Sequence, residues 1–427
     1  MNIADAALFA PSIRQMVDNM SDVLLATGRS LVVVVPAGIL PFDVWDLLRS
    51  ELGRRDADIR DLQPLETERT PADLLALAFG VHITAVNGPQ TIEAVLAQAD
   101  RAGQYPDVLY LDQFDQATLA TCNRWYVFLE HWAEIMRQRV NQGQRAIALC
   151  AIVQATAWDG RVLHHSQMLE MRWWWGAPSV VETRLLCRAQ TLGGECREAW
   201  REYVLPTVAS GDVDLITFFW DHIIDEWDRL THHLCLYADS RGWNLEKLKM
   251  WGAEGVWAHL HQPLGGVSSS ISIEPRFRVL WEQGALQWTV EHGVELNIAA
   301  LAYLGRDDLI NYRLWRGQVQ YVLPMVNGLR LATCDHLATV YGSNWPKLVQ
   351  PPDNEREYQA LIKNPNSCEF GHLKKVIDSR DNAAKWDRWK LLVDRAKKVR
   401  DTIAHYQPIS YAAFEELWIL RARIAGG

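Results

Sequence analysis

A chain of 427 residues that is 49% hydrophobic and 22% charged is long enough for two or three packed domains and too apolar to be disordered. The formal net charge of −9 is unevenly spread: residues 306–427 hold 19 Lys and Arg against 14 Asp and Glu, a net of +5, so the remainder carries −14 and only the carboxy-terminal part favours a polyanion. The seven cysteines (Cys122, Cys150, Cys187, Cys196, Cys235, Cys334 and Cys368) form no C-x-x-C pair, which argues against a zinc ribbon or disulfide frame and for reduced thiols in a cytoplasm. The first residues, Met1-Asn2-Ile3-Ala4-Asp5, lack the basic start of a signal peptide, and the apolar run at 31–35 is far too short to span a bilayer, so no membrane association is expected.

Residues 1–160 read as an α/β domain. An amphipathic helix over 14–25 leads into Leu31-Val32-Val33-Val34-Val35, an apolar run of the kind buried on both faces of a parallel sheet. A helix follows over 42–54, with Asp43 in its first turn, and 58–65 is a second candidate strand. Thr70 then caps a helix whose first position is Pro71. After a helix over 91–102, residues 106–112 form a strand ending in a carboxylate. A long helix over 117–140 and a buried strand over 145–153 complete the pattern. Strands alternating with helices argue for a parallel sheet with crossovers.

This order resembles a P-loop ATPase of the AAA+ or STAND type, with 31–35 where the phosphate-loop strand would be and 108–112 where a strand ends in a magnesium-binding acid. A phosphate loop needs glycines that bend the backbone round phosphates, a Lys and a Ser or Thr. This chain offers Pro36-Ala37-Gly38-Ile39-Leu40-Pro41-Phe42-Asp43: one Gly, no Lys, no hydroxyl and a carboxylate that repels phosphate. The site therefore reads as degenerate, Asp112 and Asp115 read as structural or surface residues, and neither cofactor nor metal is called for. The alternation alone is also met by an unrelated α/β domain.

Residues 161–305 read as a mostly helical middle region, with helices over 193–208 and 214–239. Trp173-Trp174-Trp175 stands out in a chain with 20 tryptophans, whose expected use is buried packing rather than stacking on bases. His222, Asp225 and Glu226 share a helical face and could hold an ion. No companion motif supplies further ligands, so they read as a solvated charged face. Residues 253–259, Leu264-Gly265-Gly266 and the Ser-rich run at 267–273 have the look of a small winged-helix unit, for which the acidic surroundings favour a protein partner.

Residues 306–427 read as a helical bundle: a long helix over 308–336, bent or broken near Pro324, loops around Pro346 and Pro365, a helix over 385–405 with Trp386, Trp389, Leu392 and Val399 facing inward, and a closing helix from 411. The third helix ends in Arg400-Asp401-Thr402-Ile403-Ala404-His405, and Pro408 stops it soon after. Arg offers phosphate oxygens a fixed fork of donors, and His as a residue type moves protons near neutral pH. Asp401 and His405 share a face, whereas Arg400 lies about 140° round the helix from His405. One straight helix does not aim both at one atom. A shared site needs the helix to end near His405, or a second copy of it. On spacing alone the hexapeptide reads as a surface ion pair beside a helix-end His.

The context adds to that reading. Arg400-Asp401-Thr402-Ile403-Ala404-His405 with Tyr406 and Pro408 resembles the Arg-polar-x-x-x-His signature of HEPN domains. The upstream Trp315-Arg316-Gly317-Gln318, Leu323-Pro324 and Glu369-Phe370-Gly371-His372-Leu373 agree with their four-helix arrangement. Those domains occur in RNA-cleaving toxins, abortive-infection proteins and defence effectors. The resemblance implies a cytoplasmic, metal-independent ribonuclease of a bacterial antiphage defence or toxin system. Its site residues would be Arg400, Asp401 and His405, with Asp401 orienting His405, and two bundles would meet as a homo-oligomer around an RNA substrate. Asp401 departs from the pattern, since Asn commonly follows the Arg; His372 reads as a packing or capping residue. The alternative is a non-catalytic sensing or assembly subunit with degenerate ATPase and HEPN domains, bound to a protein partner from the same system.

Overall fold

A computed structural model describes residues 6–39, 41–63, 69–81, 91–103, 105–111, 118–157, 167–190, 196–221, 229–258, 275–349, 355–379 and 383–425. The chain divides into two compact units, one made of Met1–Glu182 with Trp243–Asn297 and the other of Thr183–Gly242 with Ile298–Gly427. Residues 161–305 are divided between both units. Among the described residues no helix is long and apolar enough to cross a membrane.

The first unit is a five-stranded sheet in the order β2-β3-β4-β1-β5, with β1 Ser30–Val35, β2 Ile59–Leu62, β3 Val108–Leu111, β4 Ala148–Gln154 and β5 Leu169–Trp173. Every pairing is parallel. Strand β1 is central and fully buried, which its unbroken Val run requires. Helices α1 (Pro11–Leu25) and α2 (Pro41–Arg54) cover one face, where Ile13, Val17, Met20, Val44 and Leu48 pack on Leu31, Val33 and Val35. Trp45 stacks flat on Tyr110, with ring centroids 3.5 Å apart. Val32 and Val34 are equally buried and need cover on the other face. The right-handed rule for parallel crossovers assigns that cover to α3 (Pro71–Phe79), α4 (Ile92–Ala102) and α5 (Leu119–Asn141), which connect β2 to β3 and β3 to β4. Thr70 caps α3 as expected: its hydroxyl accepts from the Asp73 N–H, and the Asp73 carboxylate accepts from the Thr70 N–H.

Several sequence expectations change here. Of the strand expected over 58–65 the described residues show Ile59–Leu62, and 64–65 lie outside them. The middle region is not simply helical: it supplies β5 and an antiparallel hairpin of β6 (Leu286–Thr289) and β7 (Gly293–Leu296). The Trp triplet begins at the end of β5, where Trp173 and Trp175 pack edge-on against the fully buried Trp281. Asp112, Asp115, His222, Asp225, Glu226 and the Ser-rich run at 267–273 lie outside the described residues.

The second unit is helical: α6 (Val180–Gln190, of which 183 onward belongs here), α7 (Cys196–Ala209), α8 (Val213–Asp221), α9 (Leu230–Ser240), α10 (Ile298–Tyr303), α11 (Asp307–Tyr341), α12 (Glu355–Lys363), α13 (Phe370–Asp378), α14 (Ala383–Ala404) and α15 (Tyr411–Ala425). Of the helix expected over 214–239 the described residues show α8 and α9, and 222–228 lie outside them. Helix α11 runs through Pro324 without a break; the missing N–H leaves only the Gln320 carbonyl without its bond. It packs on α7 and α14, α13 packs on α14, and α15 packs on α14 and α7. Helix α7 is thus a bundle member that the sequence reading assigned elsewhere. Gly317 permits its close approach: a Cβ there would lie 3.2 Å from Thr207 Cβ and 3.3 Å from the Val204 backbone. Trp200 of α7 meets Phe414 of α15, with centroids 5.0 Å apart.

Candidate active site

Helix α14 places Leu392, Val393, Ala396, Val399 and Ile403 in the core at helical spacing, with Trp386 beside them. Trp389, expected inward, is half-buried. The last helical residue is Ala404, and His405 is its C-cap: its N–H still donates to the Asp401 carbonyl at 3.1 Å, so the left-handed turn begins only after His405. The turn has the hydrogen bonds of a Schellman motif: the Tyr406 N–H donates to the Ile403 carbonyl and the Gln407 N–H to the Thr402 carbonyl, at 3.1 Å each. Tyr406 occupies the left-handed position at φ +60, where glycine is usual.

Side chains of α11 clamp this turn at both ends. Trp315 Nε1 donates to the Ile403 carbonyl at 2.7 Å. The buried Gln318 amide donates to the Ile409 carbonyl at 3.0 Å and accepts from the Ile409 N–H at 2.8 Å. The Trp315 ring also lies 5.0 Å from that of Tyr406. His405 and Tyr406 are exposed between these anchors.

Arg400 lies in the last turn of α14, half-buried. Its Nη1 pairs with Asp401 Oδ1 at 3.1 Å and its Nη2 with Glu369 Oε2 at 3.0 Å. Its buried Nε has no hydrogen-bond partner among the described residues. Asp401 Oδ2 accepts from Lys397 Nζ at 2.7 Å. That hydrogen bond, then the charges of Arg400, Lys397 and His405, holds the Asp401 carboxyl below its ordinary range. The expected orientation of His405 by the Asp401 carboxylate is not formed: both oxygens serve cations, and the His405 N–H donates to the main-chain carbonyls of Asp401 and Thr402, at 3.1 and 3.2 Å. Glu369 also caps α13, and its N–H donates to His372 Nδ1 at 3.2 Å, so His372 serves as a cap. The Lys397 partner was readable in the i,i+4 spacing of Lys397 and Asp401; the Trp315 and Gln318 clamp was not.

These groups can work on a phosphodiester. The ion pairs of Arg400 are more than a third solvent-exposed, and such pairs are worth about 0–1 kcal/mol, so a phosphate can exchange for a carboxylate on the guanidinium. The exposed imidazole of His405 stands on a turn that the bundle fixes.

The other place suited to a phosphate is the crevice at the carboxyl ends of β1 and β4, where consecutive connections leave in opposite directions. There the loop after β1 is already engaged. The Ala37 N–H donates to the Glu282 carbonyl at 2.8 Å, the Ile39 N–H to the Pro36 carbonyl at 3.3 Å, and Gln154 Nε2 to the Ile39 carbonyl at 2.7 Å. No family model matches the chain, and a comparison with curated proteins finds no match.

Proposed function

We propose that the chain is a metal-independent endoribonuclease of the HEPN kind, an effector of an antiphage defence or toxin system. In this reading a ribose 2′-hydroxyl attacks the adjacent phosphorus and the P–O5′ bond breaks. His405 takes the hydroxyl proton or returns one to the leaving oxygen, and Arg400 holds the phosphate oxygens as charge builds on them. Asp401 and Lys397 position Arg400. A second copy of the bundle completes the site, and the amino-terminal unit, a degenerate relative of P-loop ATPases, holds it silent until a trigger arrives. The observation that carries this reading is the exposed His405 at the end of α14, on the same helix as an arginine whose ion pairs are solvent-exposed and exchangeable.

The test is cleavage of total RNA by the purified chain and growth arrest on induction, each with its genomic neighbours present. His405→Ala and Arg400→Ala should each lower cleavage by about 10²–10⁴-fold while leaving the thermal midpoint near the parent's. Undiminished cleavage by His405→Ala would sink the assignment.

A second reading is a non-catalytic assembly subunit. It is favoured by the two carboxylates that already neutralise Arg400 and by the engaged loop after β1. It predicts no RNA loss under any trigger and a stable complex with a neighbouring gene product.

A further inference from the structure

A cleft of about 860 Å³ runs along one face of α11 in the second unit. Its floor is the stripe Pro324, Met325, Gly328, Leu329 and Ala332. From Tyr321 to His336 it extends for about 22 Å at 1.5 Å per residue. An aromatic pair stands at each end. Tyr203 and Tyr321 stack with centroids 4.0 Å apart, and His336 and Trp389 with centroids 4.3 Å apart. All four rings are half-buried, so each retains surface towards solvent. Two arginines line the same cleft, and among the described residues neither has a carboxylate partner. Arg184 lies 3.9 Å over the Tyr203 ring and Arg421 lies 5.7 Å over that of Trp418. The charge of Arg421 is felt at Tyr321, whose hydroxyl burial pushes up in pKa and Arg421 pulls down. Asp335, beside His336, is the one carboxylate in the lining.

We infer that this cleft holds a single strand of RNA, with bases on the two aromatic pairs and backbone phosphates on Arg184 and Arg421. Aromatic faces along a groove with uncompensated cations are what strand binding without base readout requires. An apolar peptide helix would leave both guanidinia unanswered. A lone nucleotide would reach one aromatic pair and leave the other, about 22 Å away, unused. Asp335 can accept a hydrogen bond from a ribose hydroxyl or a base amino group. The inference rests on the ribonuclease reading for the identity of the strand: the Tyr321 end of the cleft lies about two helical turns along α11 from Trp315, which holds the His405 turn. Binding itself requires no cleavage.

The test is fluorescence anisotropy of a labelled, unstructured 12-nucleotide RNA with the full chain carrying His405→Ala, so that the probe survives. Three variants are added to that background: Arg184→Ala with Arg421→Ala, Trp389→Ala, and Gly328→Leu. The last fills the cleft where an added Cβ meets nothing within 4 Å, in a helix interior that favours leucine over glycine, so it keeps the fold. We expect the double Arg variant to bind at least tenfold more weakly, with a log–log salt slope smaller by about 1.4. Trp389→Ala and Gly328→Leu should each lose about fivefold or more. Equal binding by the parent and Gly328→Leu overturns the inference. So does absence of RNA binding by the parent, or displacement of the strand by millimolar AMP. Capture of a neighbouring protein by the parent but not by Gly328→Leu, with no RNA bound, overturns it in favour of a protein surface. RNA held by the cleft without cleavage by the wild-type chain removes the ribonuclease reading and leaves the cleft. Cleavage unaltered in KM by all three variants does the reverse.

Discussion

The loop after β1 and the turn after α14 are two places where this chain could meet a phosphate, and they are built in opposite ways. In the first, main-chain groups that would face a ligand are bonded to the protein itself: the Ala37 N–H to Glu282 and the Ile39 carbonyl to Gln154. In the second, the side chains that remain are charged, partly exposed and held by ion pairs. Releasing the first site means breaking hydrogen bonds beside buried strands, where an unmade bond costs about 1–3 kcal/mol. Releasing the second exchanges one solvated partner for another at about 0–1 kcal/mol. A loop whose polar groups are spent inside the fold has become structure, whereas a helix end with exchangeable partners stays available for chemistry.

The comparison can be broken or sharpened by four measurements. Trp281 is fully buried against Trp173 and Trp175, next to the residue that bonds Ala37. Trp281→Ala should cost about 3–5 kcal/mol in guanidinium unfolding. It should still bind no ATP by calorimetry, because neither Lys nor hydroxyl is present; ATP binding by that variant would mean a capped site rather than a lost one. Gln318→Ala leaves the Ile409 N–H and carbonyl unpaired inside the bundle and should cost about 2–3 kcal/mol, with loss of RNA cleavage as the turn loosens. An unchanged melting point would show that the clamp is dispensable.

Glu369→Gln should change stability by less than about 0.5 kcal/mol, yet raise kcat/KM for RNA about twofold by freeing one arm of Arg400. A fall in kcat/KM would show that the carboxylate belongs to the working site. The smallest effect concerns pH. The folded-state pKa of Asp401 lies below its ordinary value of 3.8, so its contribution is complete above that value and is lost as pH falls through the folded one. Melting points of the wild type and Lys397→Met should therefore differ by a constant amount from pH 7 to 5 and converge below about pH 4. Convergence above pH 5 would refute the pairing.

Strands β1, β3 and β4 were legible because a run of apolar β-formers buried on both faces has few other uses. Strand β5 was not: Leu169-Glu170-Met171-Arg172-Trp173 carries two charges, and its burial depends on β1 lying beside it. The β6–β7 hairpin had a local signal that went unread, Gly293 at φ +71 after Val290-Glu291-His292, the mark of a three-residue turn. In the bundle, the Arg400–His405 spacing and the Pro408 stop were visible in the chain. The partners that decide their geometry were not, because Trp315 and Gln318 lie about ninety residues away in sequence. The entry of α7 into the bundle is of the same kind, signalled only by the small side chain at Gly317.

Tyr406 carries a cost that its turn does not require. An L-residue at this left-handed position forfeits about 1 kcal/mol that glycine would keep. Glycine there would keep the Schellman bonds, which the main chain makes without any side chain. The exposed ring next to His405, leaning on Trp315, therefore trades a little endurance for a flat surface at the mouth of the turn.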